Sequence, residues 1–205
     1  MDFFSREDAG LRLGQHLQEN QIQADLVLGL PRGGVVVAAK VAELLQSPLD
    51  VVVVRKIGHP RHREFAVGAL AEGGVVVLDE AAIESTHVAQ HELDEVIAEE
   101  NNRLQEYQLK FRPNGALELL GKTVVLVDDG LATGATMEAA VASARKRAAG
   151  KVIVAVPVTS ESAFQRLNRA ADQVITLLVD PSFTAVGRYY EHFSQTTDEE
   201  VMALL

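Results

Sequence analysis

The run Val124-Val125-Leu126-Val127 ends abruptly in Asp128-Asp129, passes through Gly130-Leu131-Ala132-Thr133-Gly134-Ala135-Thr136, and continues as an amphipathic stretch from Met137 to Ala149. No other segment constrains the fold as tightly. An unbroken apolar, β-branched run is what a strand buried on both faces requires, so the chain must build a sheet covered by helices. Two carboxylates close that strand, and a small-residue loop then opens onto a helix N-terminus. Such a terminus offers unpaired backbone N–H groups and the positive end of the helix dipole, a place for a phosphate. Thr133 and Thr136 add hydroxyl donors on either side of Gly134. Asp128 and Asp129, just upstream, are placed to accept hydrogen bonds from a sugar diol. The segment is therefore suited to hold a 5-phosphorylated ribose by both ends.

Strands and helices alternate around it. A helix is predicted from Ser5 to Asn20, with Ser5 as N-cap and Leu11, Leu13, Leu17 and Ile22 as its apolar stripe. Asp25 to Leu30 reads as a buried strand, Gly33 to Gln46 as a helix, and Leu49 to Val54 as a second buried strand. Residues 64–78 read as a hairpin or two short strands around Glu72-Gly73-Gly74. Ala81 to Lys110 reads as a long acidic helix or helix pair, with Leu93, Val96, Ile97, Leu104 and Tyr107 at helical spacing. Strand 123–128, helix 135–149, strand 151–157, helix 160–170 and strand 173–179 complete the series. Five core strands with helical crossovers predict an α/β fold with a doubly wound parallel sheet of order 2-1-3-4-5. Its ligand crevice falls between the first and third strands, where the acidic loop lies.

At 205 residues the chain is expected to form one domain over 1–205, with no interdomain linker. Its net charge of −10 speaks against a nucleic-acid partner. No apolar run approaches the ~20 residues of a membrane span. Met1 to Gly10 is not patterned as a signal peptide, and the absence of cysteine excludes disulfides and thiolate chemistry. A cytoplasmic location is the expectation. The one dense basic patch, Arg55 to Arg63, suits a small polyanion.

Two further loops fall at the same crevice. Gly29-Leu30-Pro31-Arg32-Gly33-Gly34 follows the first strand, so its amides can converge on an anion. It mimics half of a P-loop, but Val35 and Val36 stand where a nucleoside triphosphatase needs Lys and Ser/Thr. Strand two delivers Arg55-Lys56, two cations able to neutralise a pyrophosphate. His59, Arg61, His62 and Arg63 in the following loop read equally as solvated surface. His87 and His91 stand four apart, but no carboxylate completes a zinc motif and they read as helix-surface residues. After strand five, Phe183 to Phe193 gathers four of the ten aromatics.

The segment Val124 to Thr136 resembles, nearly letter for letter, the PRPP-binding motif of type I phosphoribosyltransferases (PRPP, 5-phosphoribosyl 1-pyrophosphate). Gly130 departs from it, standing where the family usually has an aliphatic residue, and reads as loosening the turn. The resemblance covers roughly 24–193. It implies a core over 24–180, a flexible catalytic loop near 57–75, a helical excursion over 80–110 and a hood from the terminal segments, 181–205 included. It implies that Asp128 and Asp129 engage the ribose and that Ala132, Thr133, Gly134, Ala135 and Thr136 hold the 5-phosphate. Arg32, Gly33, Gly34, Arg55 and Lys56 would bind pyrophosphate, with a cis Pro31–Arg32 bond aiming an amide at it. Mg²⁺ is the implied cofactor, held mainly by substrate and water, with Asp128 and Asp129 acting indirectly. Phe183 would stack on a base, although the lysine that purine enzymes carry after strand four is missing from Ala155-Val156-Pro157-Val158-Thr159. The implied activity is transfer of 5-phosphoribosyl from PRPP to a nitrogen base, purine-like or other, by a homodimer. A non-catalytic PRPP or nucleotide sensor on the same fold is the alternative.

Overall fold

Alternate residues of the central strands face opposite layers, and this period of two organises the molecule. In the computed structural model, which describes residues 2–205, a five-stranded parallel sheet runs β2-β1-β6-β7-β8. Its strands are β1 (Leu26–Gly29), β2 (Leu49–Val51), β6 (Thr123–Val127), β7 (Lys151–Ser160) and β8 (Gln173–Asp180). Counted as core strands, this is the expected order 2-1-3-4-5. Val27, Val125 and Ile153 point to one face, where Leu13 and Leu17 of α1 (Arg6–Glu19) and Val37, Ala38 and Val41 of α2 (Gly33–Leu45) cover them. Leu26, Leu28, Val124, Leu126, Val152 and Val154 point to the other. There they meet Met137, Ala140, Val141 and Ala144 of α5 (Ala135–Lys146) and Ala163 and Leu167 of α6 (Glu161–Ala170).

The second core strand is shorter than expected. β2 stops at Val51, and the chain re-enters extended structure at Val54 in a separate antiparallel sheet of β3 (Val54–His59), β4 (His62–Ala71) and β5 (Val75–Leu78). The break has a local cause. Val52 still donates its amide to Gly29 O at 3.1 Å, but the Val53 amide turns to the Glu72 carboxylate at 2.6 Å. Arg55 and Lys56 therefore begin β3 instead of ending β2. The segment expected as a flexible loop forms the β3–β4 hairpin, turning at Pro60-Arg61, and Glu72-Gly73-Gly74 joins β4 to β5 as expected.

The acidic excursion is a helix pair, α3 (Glu80–Thr86) and α4 (Gln90–Phe111). Leu93, Val96 and Leu104 of α4 bury against Ile57, Val67 and Leu70 of the small sheet. The two ends of the chain meet: Phe3 donates to Tyr189 O at 2.7 Å, and Glu191 and His192 donate to Phe3 O and Phe4 O at 2.9 and 3.0 Å. A short helix, α7 (Asp198–Leu204), follows with a Thr197–Glu200 capping box. Among the described residues no helix is long and apolar enough to cross a membrane.

Candidate active site

β6 carries Asp128 and Asp129 to the middle of the sheet, beside the loop that leaves β1. Asp128 Oδ1 accepts the Asp129 amide at 2.9 Å. Asp129 Oδ2 accepts Arg6 Nε at 2.7 Å, and the Tyr190 hydroxyl donates to the Asp129 backbone carbonyl at 2.6 Å. Among the described residues no N–H or O–H of any further residue donates to the four carboxylate oxygens, which leaves, besides these two bonds, only the contact between the two acids themselves. The pair thus retains acceptor capacity for hydroxyls of a ligand.

Burial pushes the Asp128 carboxyl well above the ordinary aspartate range, and the neighbouring Asp129 charge pushes it further. Burial also raises Asp129, but the hydrogen bond and charge of Arg6 oppose the rise. Burial likewise raises the Tyr190 hydroxyl, which stays a neutral donor. Relative to the unfolded chain, folding therefore disfavours the charged form of Asp128. That cost is absent below the ordinary aspartate value of 3.8, grows as pH rises above it, and levels off beyond the elevated folded value. In metal-free protein, Asp128→Asn is expected to raise the melting temperature at about pH 7, with the gain shrinking toward about pH 4. A gain of equal size at both would contradict this.

Downstream of the acids lies an unclaimed row of donors. The backbone amides from Ala132 to Met137 donate to no protein acceptor among the described residues, and the N-cap Gly134 supplies no side-chain cap to α5. Most helices satisfy part of this set with a capping side chain. Here the amides, the Thr133 and Thr136 hydroxyls and the positive end of the helix dipole are left for an anion. Gly130, read from sequence as loosening the turn, does the reverse. A Cβ there would lie 2.8 Å from Val186 Cγ1 and 3.0 Å from Val158 Cγ1, so the chain after β8 packs directly on its backbone.

The loop after β1 closes the opposite side. Its Pro31–Arg32 bond is cis, as expected. A Cβ on Gly33 would collide with Asp129 Oδ2 and come within 2.6 Å of Arg6 Nε, so only glycine lets this loop touch the acidic pair. Gly34 lies against Asp128. Arg32 is exposed and stands 3.7 Å from Asp198 of α7.

Other expected residues lie further out. Arg55 Nε bonds Glu100 of α4 at 2.9 Å, with its guanidinium 5.5 Å from the Tyr107 ring centre, and Lys56 Nζ donates to Glu64 O at 2.7 Å. Arg61 and Arg63 pair with Glu92 and Glu99 of the same helix. His59 is buried and accepts the Arg61 amide at 3.1 Å, and His62 is exposed with its ring 5.5 Å from that of His59. Phe183 stacks on Tyr189 at 5.4 Å between ring centres and lines a cleft of about 620 Å³ with Ala132, Ser160, Glu161 and Thr184.

Arg6 and the role of Tyr190 were not legible in the sequence. Arg6 is the first residue of an ordinary amphipathic helix, and nothing local ties it to a carboxylate 123 positions away. Among the described residues no group of three or more His, Asp or Glu side chains forms a metal cage. The hard oxygens of Asp128 and Asp129 nonetheless fit a Mg²⁺ ion held mainly by substrate and water, with the two acids acting through the ribose or a water.

A family model described as a phosphoribosyl transferase domain matches residues 7–190. A protein of Mycobacterium tuberculosis H37Rv, provisionally named a phosphoribosyl transferase, is 45% identical over 204 residues, covering 99% of this chain and 46% of that protein. Its counterpart in strain CDC 1551 matches equally, so the chain spans about half the length of these curated relatives. The crystal structure of TT1426 from Thermus thermophilus is 44% identical with a TM-score of 0.84, covering 100% of this chain and 97% of that one. AQ2163 from Aquifex aeolicus shares the fold at 13% identity, with a TM-score of 0.53 over 85% of this chain and 74% of that one.

Proposed function

The chain belongs to the phosphoribosyl transferase family, and from that premise we propose that it transfers the 5-phosphoribosyl group of PRPP to a nitrogen base and releases pyrophosphate. The observation that carries this reading is the unpaired amide row from Ala132 to Met137 directly after the acidic pair.

In the reaction a nitrogen lone pair forms a bond to C1 of the ribose as the C1–O bond to pyrophosphate breaks, and the leaving group takes that electron pair. Positive charge grows on the sugar ring and negative charge on pyrophosphate. Asp128 and Asp129 orient the sugar hydroxyls and stabilise the ring charge, while the amides and hydroxyls of Ala132 to Thr136 hold the 5-phosphate. Arg32, Gly33 and Gly34 receive the pyrophosphate. Arg55 and Lys56 join them by exchanging Glu100 and the Glu64 carbonyl for phosphate oxygens. Bound with PRPP, Mg²⁺ would be held mainly by substrate oxygens and water, with Asp128 and Asp129 acting indirectly, and would neutralise phosphate charge. The cleft beside Phe183 takes the acceptor.

The test is pyrophosphate release from PRPP with Mg²⁺ across a broad panel of nitrogen bases. Release that depends on one class of base supports the proposal. Saturable PRPP binding without turnover on any base would replace it with a sensor role on the same fold.

A further inference from the structure

We propose that Arg6 is a positioning residue of the donor site: it fixes one carboxylate oxygen of Asp129 so that the other faces the ribose hydroxyls. This rests on the phosphoribosyl-transfer reading above. Arg6 is held from three sides. Its Nε donates to Asp129 Oδ2 at 2.7 Å, its Nη1 donates to Ser194 O at 2.7 Å, and its guanidinium carbon sits 3.9 Å from the centre of the Phe193 ring. Both partners of the ion pair are largely buried, with side chains 11% and 15% exposed. A charge-assisted bond in such surroundings fixes geometry as well as contributing energy.

The arrangement singles out one acid. Among the described residues no cation pairs with Asp128, whereas Asp129 has Arg6 on its carboxylate and Tyr190 on its backbone carbonyl. Gly33 leaves the space in which Arg6 Nε and Asp129 Oδ2 meet. Arg6 bonds Oδ2, and among the described residues no N–H donates to Oδ1, so the ion pair and a sugar hydroxyl are accommodated together. Tyr190, which holds the Asp129 carbonyl, and Phe193 and Ser194, which hold Arg6, all follow the last strand, so segments from both ends of the sequence set the acid. An ion pair that merely stapled the termini would affect every ligand alike, and that difference is measurable.

Calorimetric titration of the full chain in the presence of Mg²⁺, with PRPP, ribose 5-phosphate and inorganic pyrophosphate as separate probes, tests it. Arg6→Ala is expected to weaken PRPP and ribose 5-phosphate by about tenfold, the size of one good hydrogen bond to a charged group. Pyrophosphate, which does not meet Asp129, should change by less than about twofold. Arg6→Lys should recover part of the loss, and Arg6→Ala should add little in an Asp129→Asn background, because both changes remove the same interaction. If Arg6→Ala does not fold, Arg6→Lys carries the test through its intermediate sugar affinity and unchanged pyrophosphate affinity. Unchanged sugar affinity, equal loss for pyrophosphate, or multiplying effects of Arg6→Ala and Asp129→Asn would each overturn the inference while leaving phosphoribosyl transfer in place. Failure of the wild-type chain to bind either sugar phosphate would overturn both.

Discussion

Asp129→Asn is expected to cut PRPP-dependent turnover by about 10²–10³-fold, the scale for removing one preorganised group aimed at developing charge. The substitution keeps the shape of the side chain but replaces one acceptor oxygen by an amide donor and removes the charge opposite the ribose ring. Two effects on stability oppose each other. A buried carboxylate is replaced by a neutral amide, which relieves the burial that raises its pKa. Arg6, 11% exposed, meanwhile loses its counter-ion. Melting temperature should therefore move far less than turnover. The pyrophosphate assay, run with whichever base supports the wild-type rate, checks this: loss of turnover at a near-native melting temperature is the expected result. Retained turnover would remove Asp129 from the chemistry.

Glu72→Ala is expected to destabilise the fold by about 3–5 kcal/mol, the range for stranding a buried charge. Glu72 is 2% exposed and bonds four residues in three other parts of the chain. Its carboxylate pairs with Arg112, accepts the Val53 amide at 2.6 Å, and lies 3.3 Å from Arg147, while its backbone carbonyl accepts the Ser143 hydroxyl at 2.8 Å. Removal would leave Arg112, 8% exposed, with Asp50 at 3.6 Å as its one carboxylate partner among the described residues, and would free the Val53 amide just after β2. For a chain of this size roughly 2–4 °C of melting temperature accompanies each kcal/mol, so the melt should fall by about 6–20 °C. Thermal unfolding of the variant measures it. A shift of about 2 °C or less would mean that the network contributes little.

Much of the fold was legible because its signals are local. Residues 123–127 and 151–156 alternate between two buried layers, and the predicted strand order follows from connecting such strands through helices. The acidic pair and the small-residue loop were legible for the same reason: strand end, loop and helix start are contiguous. The break after Val51 was not, because Leu49 to Val54 is almost uniformly apolar and the group that ends the strand is Glu72. From sequence that residue is simply the first of a Glu-Gly-Gly turn. Arg55 and Lys56 were consequently expected at the end of a core strand, and they begin a separate sheet. Gly130 illustrates a second limit: its neighbour Val186 is remote in sequence, so a tight contact read as slack. Arg6 is the furthest case, since only the meeting of both chain ends brings it to Asp129.

A crystal structure of the chain with ribose 5-phosphate and Mg²⁺ is the most direct measurement of the central claim. The account predicts phosphate oxygens within about 2.7–3.2 Å of amides between Ala132 and Met137, with the sugar hydroxyls on Asp128 and Asp129. Sugar phosphate bound elsewhere, with that amide row still facing water, would contradict it.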